Sequence, residues 1–230
     1  MKYIAHYISP NYDARDITVE FLVLHYSACS LAGLFKIFAD PQAQVSSHFA
    51  ISHDGAIYEI VPCLGERVYR AWHAGRSIWE NGRVWEHFND LSIGIELINY
   101  NGNIFDYPAP QMEALKALVH ELKERFPALR DPHRLLGHEQ IAGFRGKADP
   151  GARFDWKDVF RSCYPGCPPP QRQAILPPDF ADSLESYLEE SALKASADDL
   201  FWQKLNTQLE SSLASGATKP TEIFAHVPSR

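Results

Sequence analysis

Nowhere in the 230 residues do about 18 apolar residues run together, so no helix of this chain is written to span a bilayer. The opening MKYIAHYISP carries no apolar run of the kind a secretory signal needs. Basic residues are too few for a phosphate-neutralising stripe. The 22 Lys and Arg stand against 29 Asp and Glu, a formal charge of -7, which argues against a nucleic-acid partner. Cysteine is scarce: Cys29, Cys63, Cys163 and Cys167 contain no CxxC pair and have no histidine at zinc-finger spacing. Cys163 and Cys167, in CYPGC, either bridge across a Pro-Gly turn in an oxidising compartment or remain idle thiols. One further absence is informative. His138-Glu139 begins like an HExxH zinc-protease helix, but position 142 is Ala, so the second histidine one turn on is missing. There is no internal repeat.

What is present suits one ordinary domain plus an appendage, since 45% hydrophobic and 22% charged residues can bury a proper core. FLVLH (21–25) has the length and composition of a buried strand and ends on His25. A helix follows, with Leu31, Leu34, Phe35 and Phe38 at helical steps and Ser30 as its N-cap. HFAIS (48–52) and AIYEI (56–60) flank His53-Asp54-Gly55, which predicts a hairpin. LSIGIELIN (91–99) is another strand, and Met112, Leu115, Leu118, Val119 and Leu122 stripe a helix from about Pro110 to Phe126. A shorter helix runs from Trp156 to about Arg161. Strands and helices alternate, so the fold class is α/β.

The prolines of CYPGCPPPQRQAILPP (163–178) forbid regular structure and mark a linker. The expected division is 1–165 for the main domain, 166–178 for the linker and 179–230 for a helical extension. In the extension Phe180, Leu184, Tyr187 and Leu188 form one stripe and Phe201, Leu205, Leu209 and Leu213 a second, while the last fifteen residues look unstructured. Two helices rarely make a core alone, so the extension is expected to pack on the main domain or on another subunit.

Three residues have the types a mononuclear metal takes: His25 at a strand end, His138 after Leu-Leu-Gly, and Asp149, held extended by the following proline. Alternation along Lys147-Ala148-Asp149 puts both charged side chains on one side. Glu96 shares a strand face with Ser92 and Gly94, and a carboxylate there is costly unless paired or functional. The small neighbours are expected to leave room for a ligand. Trp79 and Trp85 lie in a segment (75–89) too polar for core, which is taken as a cleft loop.

These pieces, FLVLHYSA, VSSHFAISHDGAIYEIVP, AWHAG, NDLSIGIELIN, LLGHEQIA and GKADPGARFDW, occur in an order that resembles the type 2 N-acetylmuramoyl-L-alanine amidases, which share a fold with the peptidoglycan recognition proteins. The resemblance covers about residues 20–160 and leaves the chain from 171 onward uncovered. It implies a central mixed β-sheet flanked by helices, with one zinc ion (Zn2+) on His25, His138 and Asp149. Glu96 and Lys147 would be catalytic, and Trp72 and His73 would line the substrate cleft; His48, in the hairpin, is expected to pack or hydrogen-bond near the site and is grouped with them as substrate-binding. It implies hydrolysis of the amide between N-acetylmuramic acid and L-alanine in peptidoglycan or muropeptides; the alternatives are a non-catalytic recognition module and a zinc peptidase. The appended tail and the insertion after AWHAG resemble envelope-acting members. That implies action in the periplasm or after secretion, with an immunity or secretion partner for an exported toxin and a cytoplasmic recycling enzyme as the alternative.

Overall fold

The apolar runs FLVLHY and SIGIEL form β3 (Phe21–Tyr26) and β9 (Ser92–Leu97), and every residue of both is buried. Strands covered on both faces pair in parallel, and these two do. They are the centre of a mixed sheet in a computed structural model that describes residues 9–171 and 198–216, the backbone of Tyr3 and Ile4, and residues 176, 180, 182, 183 and 186. The other strands of this sheet are β1 (Tyr3–Ile4), β4 (Phe49–Ile51), β5 (Ile57–Glu59) and β10 (Leu135–Gly137). The six lie in the order β1-β5-β4-β9-β3-β10. Only β4 and β5 pair antiparallel, through the expected turn, with Gly55 at φ +85°.

Helices cover both faces. α1 (Leu31–Ala39) starts where expected, its Ser30 hydroxyl accepting from the Gly33 N–H. α2 (Ala109–Arg125) lays Leu115, Leu118, Val119 and Leu122 over Leu22, Leu24, Ile93 and Ile95. α3 (His138–Ala142) contributes Ile141 and Ala142 to the opposite face, against Phe21 and Val23. α4 (Trp156–Cys163) joins the α2 side through Val159 and Phe160. The α/β expectation therefore holds, with a mixed sheet between helices.

Two features depart from the sequence reading. Residues 75–89 are not an open loop, because β7 (Ile78–Asn81) and β8 (Arg83–Glu86) pair as a hairpin turning at Gly82, φ +70°. Trp79 and Trp85 face each other across it and pack against the Phe21 side of the sheet. The Asn81-Gly82 turn chemistry prevailed over the polarity of the strands, one face of which is solvated. A second small ribbon pairs β2 (Tyr12–Asp16) with β6 (Tyr69–Ala71). All four cysteines are free thiols, so CYPGC carries no bridge.

The second stripe of the extension is α5 (Asp199–Ala214). It packs on the main domain, where Trp202, Leu205 and Leu209 join Phe180, Tyr100, Ile104 and Phe105. Leu184, Tyr187 and Leu188 of the first stripe, and residues 217–230, lie outside the described residues.

Candidate metal centre

Sheet register brings the candidate ligands together. β9, β3 and β10 are parallel neighbours, so their carboxyl ends coincide, the usual place for a site in such a sheet. Within that row His25 is the register partner of Glu96, and Gly137, one residue before His138, is the partner of Leu24. Glu96 thus shares the face of His25. Asp149 reaches the same place from the loop after α3, whose return is pinned by the Glu139 N–H donating to the Asp149 carbonyl at 3.0 Å.

Three atoms converge. His25 Nδ1 lies 3.1 Å from His138 Nδ1 and 3.0 Å from Asp149 Oδ2, and His138 Nδ1 lies 3.1 Å from Asp149 Oδ2. The residues are 3%, 5% and 6% exposed, so water does not hold this triangle apart. Its three edges exceed the two protons that the facing ring nitrogens can supply, whereas one cation answers all three lone pairs. Ligands about 2.0 Å from a tetrahedral zinc stand roughly 3.3 Å apart, close to these edges. Two imidazoles and a carboxylate fit zinc in type, number and spacing.

The distal ring nitrogens are also engaged. His25 Nε2 lies 3.0 Å from His73 Nδ1, and His138 Nε2 lies 3.3 Å from the Ala74 carbonyl. Each distal N–H therefore has an acceptor, which leaves each Nδ1 lone pair free to face the triangle. His73 in turn directs Nε2 toward the Ser92 carbonyl at 3.4 Å. With both Nδ1 atoms deprotonated, the Asp149 carboxylate is the charge that matches a cation. Burial opposes that charge, but when no cation is present a protonated His138 and ring N–H groups of His138 and His25 donating to the carboxylate hold it well below the usual carboxylate range.

Glu96 sits beside this group, 8% exposed, and its Oε2 has no hydrogen-bond partner among the described residues. Burial pushes its carboxyl up to about 7, against the opposing pull of His25 and Lys147. A carboxyl near neutrality with an idle oxygen is equipped to take and return a proton. Lys147 extends to α5, where its Nζ lies 2.7 Å from both Glu210 oxygens. Sequence reasoning missed Glu210, and a glutamate on an amphipathic tail helix carries no local signal for it.

The three residues grouped as substrate-binding divide. Trp72 is half-buried and stays available. His48 is fully buried: its Nδ1 accepts from the Gly94 N–H at 3.0 Å and its Nε2 donates to the Tyr69 carbonyl at 2.8 Å. Both nitrogens are spent on backbone, so His48 is a strut between β9 and β6 and offers a ligand nothing. Burial lowers its pKa to about 4, consistent with a neutral ring. His73 is likewise internal at 6% exposure, behind His25 instead of in the cleft. It fills the room beside Gly94 that was expected to receive a ligand. A Cβ on Gly94 would stand 2.5 Å from His73 Cγ. Gly94→Ala is accordingly expected to destabilise the fold by about 1–3 kcal/mol in denaturant titration; a variant as stable as the parent would show that the ring yields freely.

Comparison with known proteins follows the same residues. The sequence pattern of the N-acetylmuramoyl-L-alanine amidase family matches residues 15–152, a span that holds His25, Glu96, His138, Lys147 and Asp149. The chain is similar to N-acetylmuramoyl-L-alanine amidase AmiD of Escherichia coli strain K12, at 32% identity over 164 residues, 67% of this chain and 56% of that protein. It thus spans little more than half the length of that relative. Among solved structures it is similar to AmpDh3 from Pseudomonas aeruginosa in complex with anhydromuramic pentapeptide. There the TM-score is 0.53 at 26% identity, over 94% of this chain and 92% of that one. The solution structure of Citrobacter freundii AmpD matches at 33% identity with a TM-score of 0.51, over 72% of this chain and 91% of that one.

Proposed function

Because the chain belongs to the N-acetylmuramoyl-L-alanine amidase family, we propose that it is a zinc hydrolase that cuts the amide between the lactyl group of N-acetylmuramic acid and L-alanine. The observation that carries this reading is the buried triangle of His25 Nδ1, His138 Nδ1 and Asp149 Oδ2 with the unpartnered Glu96 oxygen beside it. These three residues would hold one zinc ion, which supplies Lewis acidity to the scissile carbonyl and to the attacking water. Glu96 accepts the proton of that water and delivers it to the departing L-alanine nitrogen. Lys147 directs its ammonium at the oxygen that gains charge as the carbonyl becomes tetrahedral. The outer partners His73 and the Ala74 carbonyl keep both ligand rings in the required tautomer.

The substrate class follows from the relatives. AmpDh3 was solved with an anhydromuramic pentapeptide, which supports a muropeptide for this chain. No helix among the described residues is long and apolar enough to cross a membrane. The test is to incubate the protein with soluble anhydromuropeptides and with intact sacculi and to analyse the products by mass. A free stem peptide beginning with L-alanine is expected, lost on chelation and restored by zinc. Activity that survives complete metal removal would overturn the zinc reading; release of no stem peptide from either substrate would overturn the amidase.

A further inference from the structure

Lys147 and α5 meet in a way that the family segment does not contain, since that segment ends at residue 152 and α5 begins at Asp199. Both Glu210 oxygens lie 2.7 Å from the Lys147 Nζ, and the two side chains are only 29% and 21% exposed. This is not a pair of long side chains meeting at a surface. Gly146, at φ +84°, lies directly under the helix, so that a Cβ there would collide with the Glu210 carbonyl oxygen. The helix backbone therefore rests on the loop that presents Lys147.

The rest of α5 explains why Glu210 arrives there. Asp199, Asn206 and Glu210 follow one another by seven and four residues, which puts them on one helix face. Asp199 accepts from the Ser30 N–H at 2.7 Å and from the Ser30 hydroxyl at 2.8 Å, at the start of α1. Asn206 is buried. Its Oδ1 accepts from the Tyr26 hydroxyl at 3.0 Å and from Asn101 Nδ2 at 2.7 Å, and its Nδ2 donates to the Tyr100 carbonyl at 2.9 Å. Tyr26 is the residue after the ligand His25, so the helix is registered on the strand that carries the site. Apolar packing alone tolerates sliding and rotation, whereas these directional bonds accept one placement. That placement delivers a carboxylate to Lys147.

We propose that Glu210 is a positioning residue of the active site, and that the C-terminal helix completes the site by holding the Lys147 ammonium where the reaction needs it. The proposal rests on the amidase reading above. A free lysine side chain spreads over many rotamers, about 2 kcal/mol of conformational entropy. Two of its three N–H donors are taken by Glu210, which leaves the third for the oxygen of the tetrahedral intermediate. Among the described residues the Glu210 side chain pairs with Lys147 and forms no hydrogen bond to His25, His138 or Asp149, so it acts through Lys147.

The test is a double-mutant cycle in the full chain: parent, Glu210→Gln, Lys147→Ala and the double variant, with zinc content and thermal midpoint recorded for each. Glu210→Gln is expected to lower kcat about tenfold with KM nearly unchanged, and to cost nothing further in the Lys147→Ala background. A substitution that merely loosened α5 would lower the thermal midpoint and kcat in both backgrounds, so coupling between the two substitutions in kcat isolates the positioning role. An unchanged kcat, or a loss that multiplies with that of Lys147→Ala, overturns the proposal. So does a higher kcat, which would mean that Glu210 restrains Lys147. Should the parent release no stem peptide, the amidase reading falls and takes this inference with it; an active parent with any of the three results above overturns this inference alone.

Discussion

Glu96→Gln is expected to keep one zinc ion per chain while kcat falls by about 100- to 10,000-fold, the usual contribution of a positioned acid-base group. The amide keeps the shape of the carboxyl and its place opposite His25 on the sheet, but cannot carry a proton. A second signature separates loss of chemistry from loss of structure. The folded-state pKa of Glu96 is raised from 4.5 to about 7, so the folded protein holds a proton that the unfolded chain has released. Stability contributed by the neutral acid is then lost as pH rises from about 4.5 through about 7, where the folded state must bury a charge. Glutamine does not titrate. Between pH 4 and 8 the metal-free variant should therefore gain on the metal-free parent by on the order of 3 kcal/mol, the free-energy equivalent of raising one carboxyl from 4.5 to about 7. Denaturant titrations at the two pH values measure this. A variant that loses activity and shows no such pH-dependent gain would place the Glu96 carboxylate in an environment other than the buried one described; a variant that retains the parental rate would remove Glu96 from the mechanism.

His138→Ala is expected to abolish stoichiometric zinc binding, and with it all turnover. Only His25 and Asp149 would remain, and two ligands leave a zinc ion half-exposed to water. The loss in zinc affinity should exceed about 100-fold, the upper end of what an outer partner costs, and His73→Phe should fall within that outer range of about 10- to 100-fold. The graded pair is informative because both residues touch His25, at 3.1 Å and 3.0 Å, but through different ring nitrogens. Competition with a calibrated chelator measures both. Equal losses in the two variants would mean that His73 is itself a ligand; full zinc binding by His138→Ala would dismantle the triangle.

Much of this site is legible in residue type and order. Glu96 and Asp149 stand out because a carboxylate in an apolar strand and an aspartate before proline are costly or unusual without a role, whereas His25, alone a core histidine, and Lys147, alone a loop charge, join them and His138 only through the motif order that resembles the amidases. The strands and helices that present them are legible through periodicity, as with FLVLHY, SIGIEL and the α2 stripe. Two histidines are misplaced by the sequence for a common reason. His48 and His73 lie in segments whose motifs point to the site, but a motif does not say on which side of the ligand a side chain stands. Packing decides that: the space beside Gly94 takes the His73 ring, and the backbones of Gly94 and Tyr69 take both nitrogens of His48.

The sequence by itself determined the class of fold through local periodicity, and the order of its motifs, through the resemblance they carry, singled out the residues proposed as donor set and acid-base carboxylate. Tertiary structure alone decided which ring nitrogens converge with Asp149, what stands behind His25 and His138, and that α5 reaches Lys147. Those facts depend on pairings between residues far apart in the chain, 113 positions for His25 and His138 and 63 for Lys147 and Glu210. Sheet register and helix docking set such distances, and no local pattern encodes them.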